Sequence, residues 1–273
     1  MRNYRRPFRI KKKKSILKSR FFWLGILILI IFSGVFYLIC FHSFFQIKVI
    51  EISGNEKVST ESLENLLNQK INQKILFFPS QSIFLPNFGE IKKEILKSFP
   101  QVAETDLKRK FPNTVLLEIK ERKPAAVFRQ TDKIFFVDKK GVIFESFDLD
   151  VTSQDFITFK KQADEGVNLG EKIIEEEQLS KILEVESKLK NELKILVEEV
   201  LVVSEARFDA KTLEGFQIYF NFQEDLDWQL TKLRAVLEEE IPLESRKDLE
   251  YIDVRFGNFA PYILQLVDEI DKN

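Results

Sequence analysis

The segment VAETDLKRKFPNTVLLEIKE, residues 102–121, predicts two β-strands joined by a short turn. Val115, Leu117 and Ile119 alternate with more polar residues, so we expect one face of the second strand to pack and the other to face water. The Phe-Pro-Asn sequence at residues 111–113 separates the strands, because proline has no N–H to donate and asparagine favours turns. The two predicted strands are residues 102–109 and 114–121.

Upstream of this pair the sequence predicts a strand followed by a helix. Residues 45–53 are rich in β-branched residues and end at a Gly-Asn turn, which favours a strand. A Ser-Thr pair at residues 59–60 then offers a helix cap, and Leu63, Leu66 and Leu67 recur at helical spacing. These leucines are expected to form the buried face of the helix.

A second helix is predicted at about residues 89–98, where Ile91, Ile95 and Leu96 are expected to face inward. The stretch before it, residues 74–86, contains two prolines and is interpreted as a loop. The resulting order is β-α-α-β-β. A small sheet with two helices on one face buries these stripes economically, so we expect an α+β module of about 75 residues.

The apolar stretch FFWLGILILIIFSGVFYLICF, residues 21–41, carries no charge. As a helix it is roughly 31 Å long, about the thickness of the hydrocarbon core of a bilayer, so it predicts a single transmembrane helix. A cleaved signal peptide is the alternative. It is disfavoured because the apolar region is too long and Ile39-Cys40-Phe41-His42 offers no small-residue cleavage site.

The first 20 residues carry ten Lys or Arg and no acidic residue, whereas the rest of the chain has 32 basic and 43 acidic residues. Basic residues on one side of a span predict that this side is cytoplasmic. The N-terminus is therefore expected inside and the other 230 or so residues outside, as in a single-pass type II protein. A nucleic-acid-binding arm is the weaker interpretation of the same lysines.

The part of the chain after residue 124 is predicted to be a second, β-rich α+β domain. Its predicted strands are residues 127–128, 134–137, 141–144, 195–203, 216–222 and 251–255, and its predicted helices are residues 174–193 and 225–240. The whole chain is thus divided into a basic tail (1–20), a transmembrane helix (21–43), the β-α-α-β-β module (44–123), the β-rich domain (124–266) and a C-terminal tail (267–273).

Catalytic chemistry has few candidates in this chain. One cysteine and one histidine exclude an internal disulfide, a cysteine metal cluster and any site needing two imidazoles. Phosphate-binding loops and the GxSxG elbow are absent, and two SxxK matches lack the signatures that accompany them in penicillin-binding enzymes. Paired carboxylates remain as weak glycosidase candidates: Asp148 with Asp150, Asp225 with Asp227, and the runs at residues 175–177 and 238–240. We expect no metal and no cofactor.

Short sequences distributed along the chain carry a family resemblance. They are ISGN at residues 52–55, ILFF at 75–78, FPQV at 99–102, KRKFPNTV at 108–115, ERKPAA at 121–126, FVD at 136–138 and GVIF at 141–144. In this order behind one span, they resemble the FtsQ/DivIB family of bacterial division proteins, whose first outer module is a POTRA domain. Taken singly, each has a structural interpretation, and Glu121-Arg122 is interpreted as a solvated pair near a strand end.

This resemblance implies a non-enzymatic scaffold of the divisome, located at the septum in the plasma (inner) membrane. It implies that the terminal strand recruits an FtsB/FtsL pair by strand addition. It also implies contacts with septal wall synthases and with the bilayer. No nucleic acid and no small-molecule substrate is expected. The implied partner-binding residues are Arg255, Phe256, Phe259, Ala260, Tyr262, Ile263 and Leu264. Pro261 lacks an N–H, so it is expected to fit an edge strand only with its nitrogen turned away from the ladder.

Two other function classes remain open from the sequence. One is a membrane-anchored enzyme that acts on cell-wall glycan outside the membrane, which a pair of carboxylates converging in one cleft would favour. The other is a POTRA-bearing export or assembly factor, which a membrane barrel after the POTRA module would favour.

Overall fold

The computed structural model describes residues 19–75, 77–131, 133–148, 156–162 and 166–264. The chain forms two compact units. The first comprises Met1–Ser53, Thr60–Lys92 and Asp106–Glu118, and the second comprises Gly54–Ser59, Lys93–Thr105 and Ile119–Asn273. The domain boundaries drawn from the sequence stay predictions.

Helix α1, Arg20–Phe41, is apolar throughout, and Cys40 is its one buried residue. By length and composition it is the one helix among the described residues that is able to cross a membrane. It ends where the sequence predicts, because the chain turns extended at His42.

The elements that follow α1 keep the predicted β-α-α-β-β order, with an additional hairpin between the two helices. They are β1 (Val49–Ser53), α2 (Thr60–Ile71), β2 (Gln73–Ile75), β3 (Phe78–Ser80), α3 (Phe88–Ser98), β4 (Val102–Lys110) and β5 (Thr114–Glu121). β1, β5 and β4 form a three-stranded sheet in that order, and β1 runs parallel to β5. The buried residues of α2, α3 and β5 recur at helical and strand spacing: Leu63, Leu67, Ile71, Ile91, Ile95, Val115, Leu117 and Ile119.

Two details differ from the sequence prediction. The predicted loop at residues 74–86 contains the antiparallel hairpin β2–β3, in which Pro79 lies opposite Lys74. A two-stranded hairpin has only edge positions, where proline is tolerated. Leu96 was expected to face inward but is 38% exposed, since Ile91 and Ile95 already supply the buried stripe of α3.

Gly54 ends β1 with a backbone that requires glycine. Its φ of +82° lies in the left-handed region, and a Cβ there would come within 2.0 Å of the carbonyl oxygen of Ile119. The Gly-Asn turn predicted from the sequence therefore has a steric cause.

A nine-stranded mixed sheet dominates the second unit. Its elements are β6 (Ala126–Gln130), β7 (Lys133–Val137), β8 (Ile143–Asp148), β9 (Thr158–Lys161), α4 (Glu176–Lys188), β10 (Val197–Val202), β11 (Arg207–Thr212), β12 (Gln217–Asn221), α5 (Leu226–Ala235), β13 (Leu249–Asp253) and β14 (Tyr262–Leu264). The strand order is β14-β13-β12-β11-β10-β9-β6-β7-β8. α4 and α5 each continue into one π-helical turn, Leu189–Leu193 and Val236–Glu240.

The helices α4 and α5 connect parallel neighbouring strands. α4 links β9 to β10, and α5 links β12 to β13. Their apolar stripes share one core with alternate residues of the sheet, among them Phe208, Phe220 and Ile252. Successive side chains of a strand point to opposite faces, so Asp209, Tyr219 and Asp253 lie on the other face of the sheet.

Candidate partner-binding edge

β14 is an edge of the nine-stranded sheet as far as the described residues extend. It pairs antiparallel with β13, with Ile252 opposite Tyr262 and Tyr251 opposite Ile263. An edge strand leaves one row of backbone N–H and C=O groups without a ladder partner, and an extended peptide can pair with that row. This is the strand at which the family resemblance predicts partner binding.

One hydrogen bond fixes the phase of β14, that is, which of its residues point their backbone N–H and C=O groups toward β13 and which point them away. The N–H of Asp253 donates to the carbonyl oxygen of Pro261 at 2.8 Å. In an antiparallel pair, bonded and non-bonded positions alternate, so the backbone groups of Tyr262 point away from β13 and those of Ile263 toward it. Pro261 stands directly before β14 and not within it, so the missing N–H does not interrupt the strand.

The predicted site residues fall into two groups. Most of their side chains are accessible, with Phe256 56% and Phe259 69% exposed and Tyr262 half-buried. Ile263 and Leu264 are also exposed. The side chain of Ala260 is instead buried in the core of the second unit and is not presented to a partner.

Arg255 forms a two-pronged ion pair with Asp253. Its Nε donates to Oδ1 at 2.9 Å and its Nη2 to Oδ2 at 2.6 Å, while its guanidinium lies 4.8 Å from the ring centre of Phe256. Burial raises the pKa of Asp253, but the hydrogen bonds and charge of Arg255 outweigh it, and the net pKa is lowered. Arg255 is therefore a paired cation that braces the ring next to it.

A matching pair lies two strands away on the same face. Arg207 binds the buried carboxylate of Asp209 through Nε at 2.7 Å and Nη2 at 2.9 Å, and it stacks 4.4 Å over Tyr219. Tyr219 in turn stacks on Tyr251 at 4.9 Å. Sequence reasoning missed this arrangement, although Arg-x-Asp at 207–209 and Asp-x-Arg at 253–255 both have the spacing that places two side chains on one face of a strand.

A buried lysine on α5 holds the turn that leads to β14. Lys232 Nζ donates to the carbonyl oxygens of Val254 at 2.6 Å, Phe256 at 3.1 Å and Gly257 at 3.2 Å. Trp228, one helical turn earlier, donates from Nε1 to the same Gly257 oxygen at 3.2 Å. Burial lowers the pKa of Lys232. We call Lys232 and Trp228 the α5 clamp, which the sequence did not reveal because a lysine in a helix normally indicates an exposed face.

An open groove of about 560 Å³ runs beside the clamp. Trp228, Ala235, Phe259 and Tyr262 are among the residues that line it. Lys232, Glu239 and Glu240 also line the groove, which adjoins the exposed edge and so offers the side chains of an added strand a mixed apolar and polar surface on which to pack.

Four of the described carboxylates considered for catalysis, Asp225, Asp227, Glu175 and Glu177, have structural partners. Asp225 caps α5 by accepting from the N–H of Trp228 at 2.7 Å, and Asp227 pairs with Lys188. Glu177 pairs with Lys181 at 2.9 Å. Glu175 caps α4 and pairs with Lys172, and residues 238–240 are exposed. Asp150 and the side chain of Asp148 lie outside the described residues.

Glu121 ends β5 and organises the segment that begins after Gly54. Its carboxylate accepts the backbone N–H groups of Glu56, Lys57 and Val58 at 2.8–3.0 Å. Burial raises the pKa of Glu121, but these three bonds outweigh it and lower the pKa. The interpretation as half of a solvated pair is wrong for this residue.

Arg122 is likewise not solvated. It forms a largely buried ion pair with Asp138 and donates from Nε to the carbonyl oxygen of Pro100 at 3.0 Å. Asp138 also accepts the N–H groups of Lys140 and Val142. The segments ERKPAA (121–126) and FVD (136–138) thus meet at one buried ion pair.

Comparison with known families agrees with this architecture. Residues 45–122 match the POTRA domain of FtsQ type, and residues 126–255 match the C-terminal domain of the cell division protein FtsQ/DivIB. The chain belongs to the FtsQ/DivIB family.

This chain has low sequence identity to individual members of the FtsQ/DivIB family. It is 24% identical over 241 residues to the cell division protein DivIB of Clostridium tetani, covering 86% of both chains. It is 21% identical over 140 residues to FtsQ of Streptomyces bingchenggensis, covering 51% of this chain and 48% of that one. With the apolar helix α1, family membership points to a single-pass membrane protein of the division septum that contacts other divisome proteins.

Proposed function

We propose that this chain is a non-enzymatic scaffold of the divisome that recruits a partner pair of the FtsB/FtsL type by strand addition to the outer edge of β14. The observation that carries the proposal is the phase of β14. The backbone N–H and C=O of Tyr262 point away from β13, and no described strand pairs with them.

The side chains around this edge support the same role. Phe256 and Phe259 are exposed next to it, and aromatic residues supply much of the affinity of protein interfaces. The α5 clamp and the Asp253–Arg255 pair hold the turn that carries them. A pre-organised turn loses less entropy on binding than a flexible one.

The engagement of the candidate carboxylates in structural contacts also favours a scaffold role over a glycan hydrolase. Asp225, Asp227 and Glu177 are engaged in a helix cap and in ion pairs with lysines, which leaves these three without the free pair that glycoside hydrolysis needs. Wall synthases of the septum remain further proposed contacts.

The proposed orientation has the N-terminus in the cytoplasm and both outer domains on the far side of the membrane. It is supported by the ten basic residues before α1 and the acidic remainder of the chain. A reporter that is active only outside the cytoplasm is expected to be active when fused after Asn273. Activity of the same reporter fused before Met1, with silence after Asn273, contradicts the orientation.

The decisive test of recruitment compares two chains in nanodiscs: the full chain and a chain that ends at Asn258, which lacks β14 but keeps β13 and the α5 clamp. Binding of the purified FtsB/FtsL pair from the same organism is measured for both, and circular dichroism with thermal melting checks folding. We expect the shorter chain to lose binding. Equal affinities of two folded chains, or no binding by the full chain, overturn the proposal.

A further inference from the structure

Five phenylalanine side chains of the first unit are exposed near the outer end of α1. They are Phe44, Phe77, Phe78, Phe84 and Phe111, and between 43% and 89% of each is accessible. We call them the aromatic surface. Exposed apolar patches of this kind mark sites of contact with proteins or membranes.

The end of α1 is fastened to the residues that carry this surface. Ser82 Oγ donates to the carbonyl oxygen of Ile39 at 2.7 Å, and Gln46 Nε2 donates to that of Cys40 at 3.0 Å. Ser80 Oγ also donates to the Cys40 oxygen. The last carbonyls of a helix have no partner within the helix, so these side chains satisfy groups that would otherwise need water. Helix α1 and the segment at residues 80–82 are thus joined by side-chain contacts as well as by the chain.

Ring contacts extend from the helix end into the surface. The rings of Phe41 and Phe78 are 6.2 Å apart, which joins the last residue of α1 to the hairpin β2–β3. A second series runs from Phe44 to Phe45 at 5.1 Å and from Phe45 to Phe84 at 5.3 Å. It ends with Phe84 and Phe111 at 5.4 Å.

Arg109 fixes the loop that presents Phe84. Its Nε donates to the carbonyl oxygen of Ile83 at 2.7 Å and its Nη2 to that of Pro86 at 2.8 Å, and its guanidinium stacks 4.2 Å over Phe88. The KRKFPNTV sequence therefore contributes twice, because Arg109 holds one exposed ring in place and Phe111 is another.

We infer that the aromatic surface lies in the outer interfacial layer of the bilayer that α1 crosses, so that the first unit rests on lipid. Phe44 is three residues beyond the helix end, a separation of at most about 10 Å for extended chain. The headgroup layer on each side of the hydrocarbon is roughly 5–8 Å deep. The surface is continuous with the lipid-facing helix through Phe41, which favours lipid over a protein as its occupant.

Spin labels measure this directly in the full chain. In a Cys40→Ser background, Phe84→Cys and Phe111→Cys are labelled in turn and the protein is placed in nanodiscs of phosphatidylcholine and phosphatidylglycerol. Oxygen concentrates in the lipid phase and a nickel chelate in water, so the ratio of their collision rates reports depth. We expect this ratio to be several-fold higher at both positions than at a label on Glu61→Cys.

Glu61 is a suitable control because it is exposed at the first turn of α2, and the 12-residue helix is about 18 Å long. The other end of α2 is the one tied to the segment at residues 80–82, through the hydrogen bond between Gln81 and Asn72. Equal ratios at all three labels overturn the inference and leave the surface to a protein partner.

A second measurement needs no substitution. A phospholipid with a photoreactive diazirine near its headgroup is added to nanodiscs that hold the unaltered chain, and adducts are mapped by mass spectrometry. We expect adducts on peptides that contain Phe77, Phe84 and Phe111. Adducts confined to residues 20–41 overturn the inference even if a labelled variant fails to fold.

Discussion

The backbone N–H of Asp253 donates a 2.8 Å hydrogen bond to the carbonyl oxygen of Pro261. This bond joins residue 253 to residue 261, one position before β14, and continues the β13–β14 hydrogen-bonding pattern by one position. The next pair, Ile252 with Tyr262, is then a non-bonded one, whose N–H and C=O groups point outward. Tyr262, and not Ile263, therefore offers its backbone to an added strand.

Tyr262→Pro is expected to weaken binding of the partner pair. Proline removes the outward N–H, and one lost hydrogen bond of about 1 kcal/mol corresponds to roughly fivefold weaker binding, with more lost if the ring obstructs the approaching strand. Tyr262→Val is the matched control, because it keeps the N–H and favours a strand. Ile263→Pro instead breaks the β13–β14 ladder and is expected to lower the melting temperature.

Binding is measured by titrating the partner pair onto each variant in nanodiscs, with thermal melting alongside. If Tyr262→Pro binds like Tyr262→Val, the outer edge of β14 takes no part in recruitment.

Phe256→Ala is expected to weaken binding through lost contact area and not through unfolding. The ring is largely exposed, so its removal costs the free chain little, whereas a central aromatic anchor is worth about 2 kcal/mol, or roughly thirtyfold in affinity. Leu243→Ala is the control, since Leu243 is 77% exposed and is not one of the predicted site residues. Equal affinity of the two variants would place the interface elsewhere.

The sequence predicted elements well where one strand or helix carries its own periodic pattern. Val115, Leu117 and Ile119 of β5 are buried as their alternation predicts, and the helix predicted at residues 225–240 is present as α5. β9 and β11 were missed. β9 has four residues and one fully buried side chain, Phe159, and it is a strand because β6 and β10 flank it.

The missed parts of the site depend on residues that are far apart in sequence. Lys232 lies among leucines of an amphipathic helix, and its burial follows only from the turn at residues 254–257 that packs over it. Phenylalanine content likewise predicts core, whereas Phe84 and Phe111 are exposed and lie against each other from two loops that are distant in sequence. Neither the burial of Lys232 nor the exposure of these two phenylalanines leaves a pattern among neighbouring residues of the sequence.

Lys232→Met is expected to destabilise the second unit by about 1–3 kcal/mol, because methionine keeps much of the side-chain length but removes the Lys232 donor from three carbonyl oxygens, of which that of Gly257 still accepts from Trp228. Partner binding is expected to weaken as well, since the turn before β14 loses its anchor. Denaturant unfolding and the binding titration measure the two effects.

Thr231→Ala provides the comparison for the α5 clamp, because Thr231 is exposed and bonds only within α5, to the carbonyl of Asp227. If Lys232→Met is as stable as Thr231→Ala, Lys232 does not stabilise the turn at residues 254–257 and the role of the α5 clamp is contradicted.

Asp253→Asn is expected to lower the unfolding free energy by about 1–3 kcal/mol at neutral pH, because it weakens the paired bonds from Arg255. The pKa of Asp253 is lowered in the folded chain, below an unfolded value of about 3.9. Its stabilisation is therefore complete above about pH 3.9 and is lost as the pH falls through the folded pKa. The difference in unfolding free energy between the unaltered protein and Asp253→Asn should therefore become smaller as the pH falls below about 3.9.

Asp106→Asn is the control for this pH series. Hydrogen bonds from Lys108 and Lys92 lower the pKa of Asp106 to about 2, but all three side chains are accessible, so salt screens their attraction. Denaturant unfolding is followed by far-ultraviolet circular dichroism, which reports on both units, and by the fluorescence of Trp228 in a Trp23→Phe background, at several pH values with and without added salt. We expect high salt to remove the Asp106→Asn effect and to preserve most of the Asp253→Asn effect, because the Asp253 carboxylate is largely buried. A difference for Asp253→Asn that stays constant from neutral to acid pH contradicts the lowered pKa and, with it, the strength of the ion pair that braces Phe256.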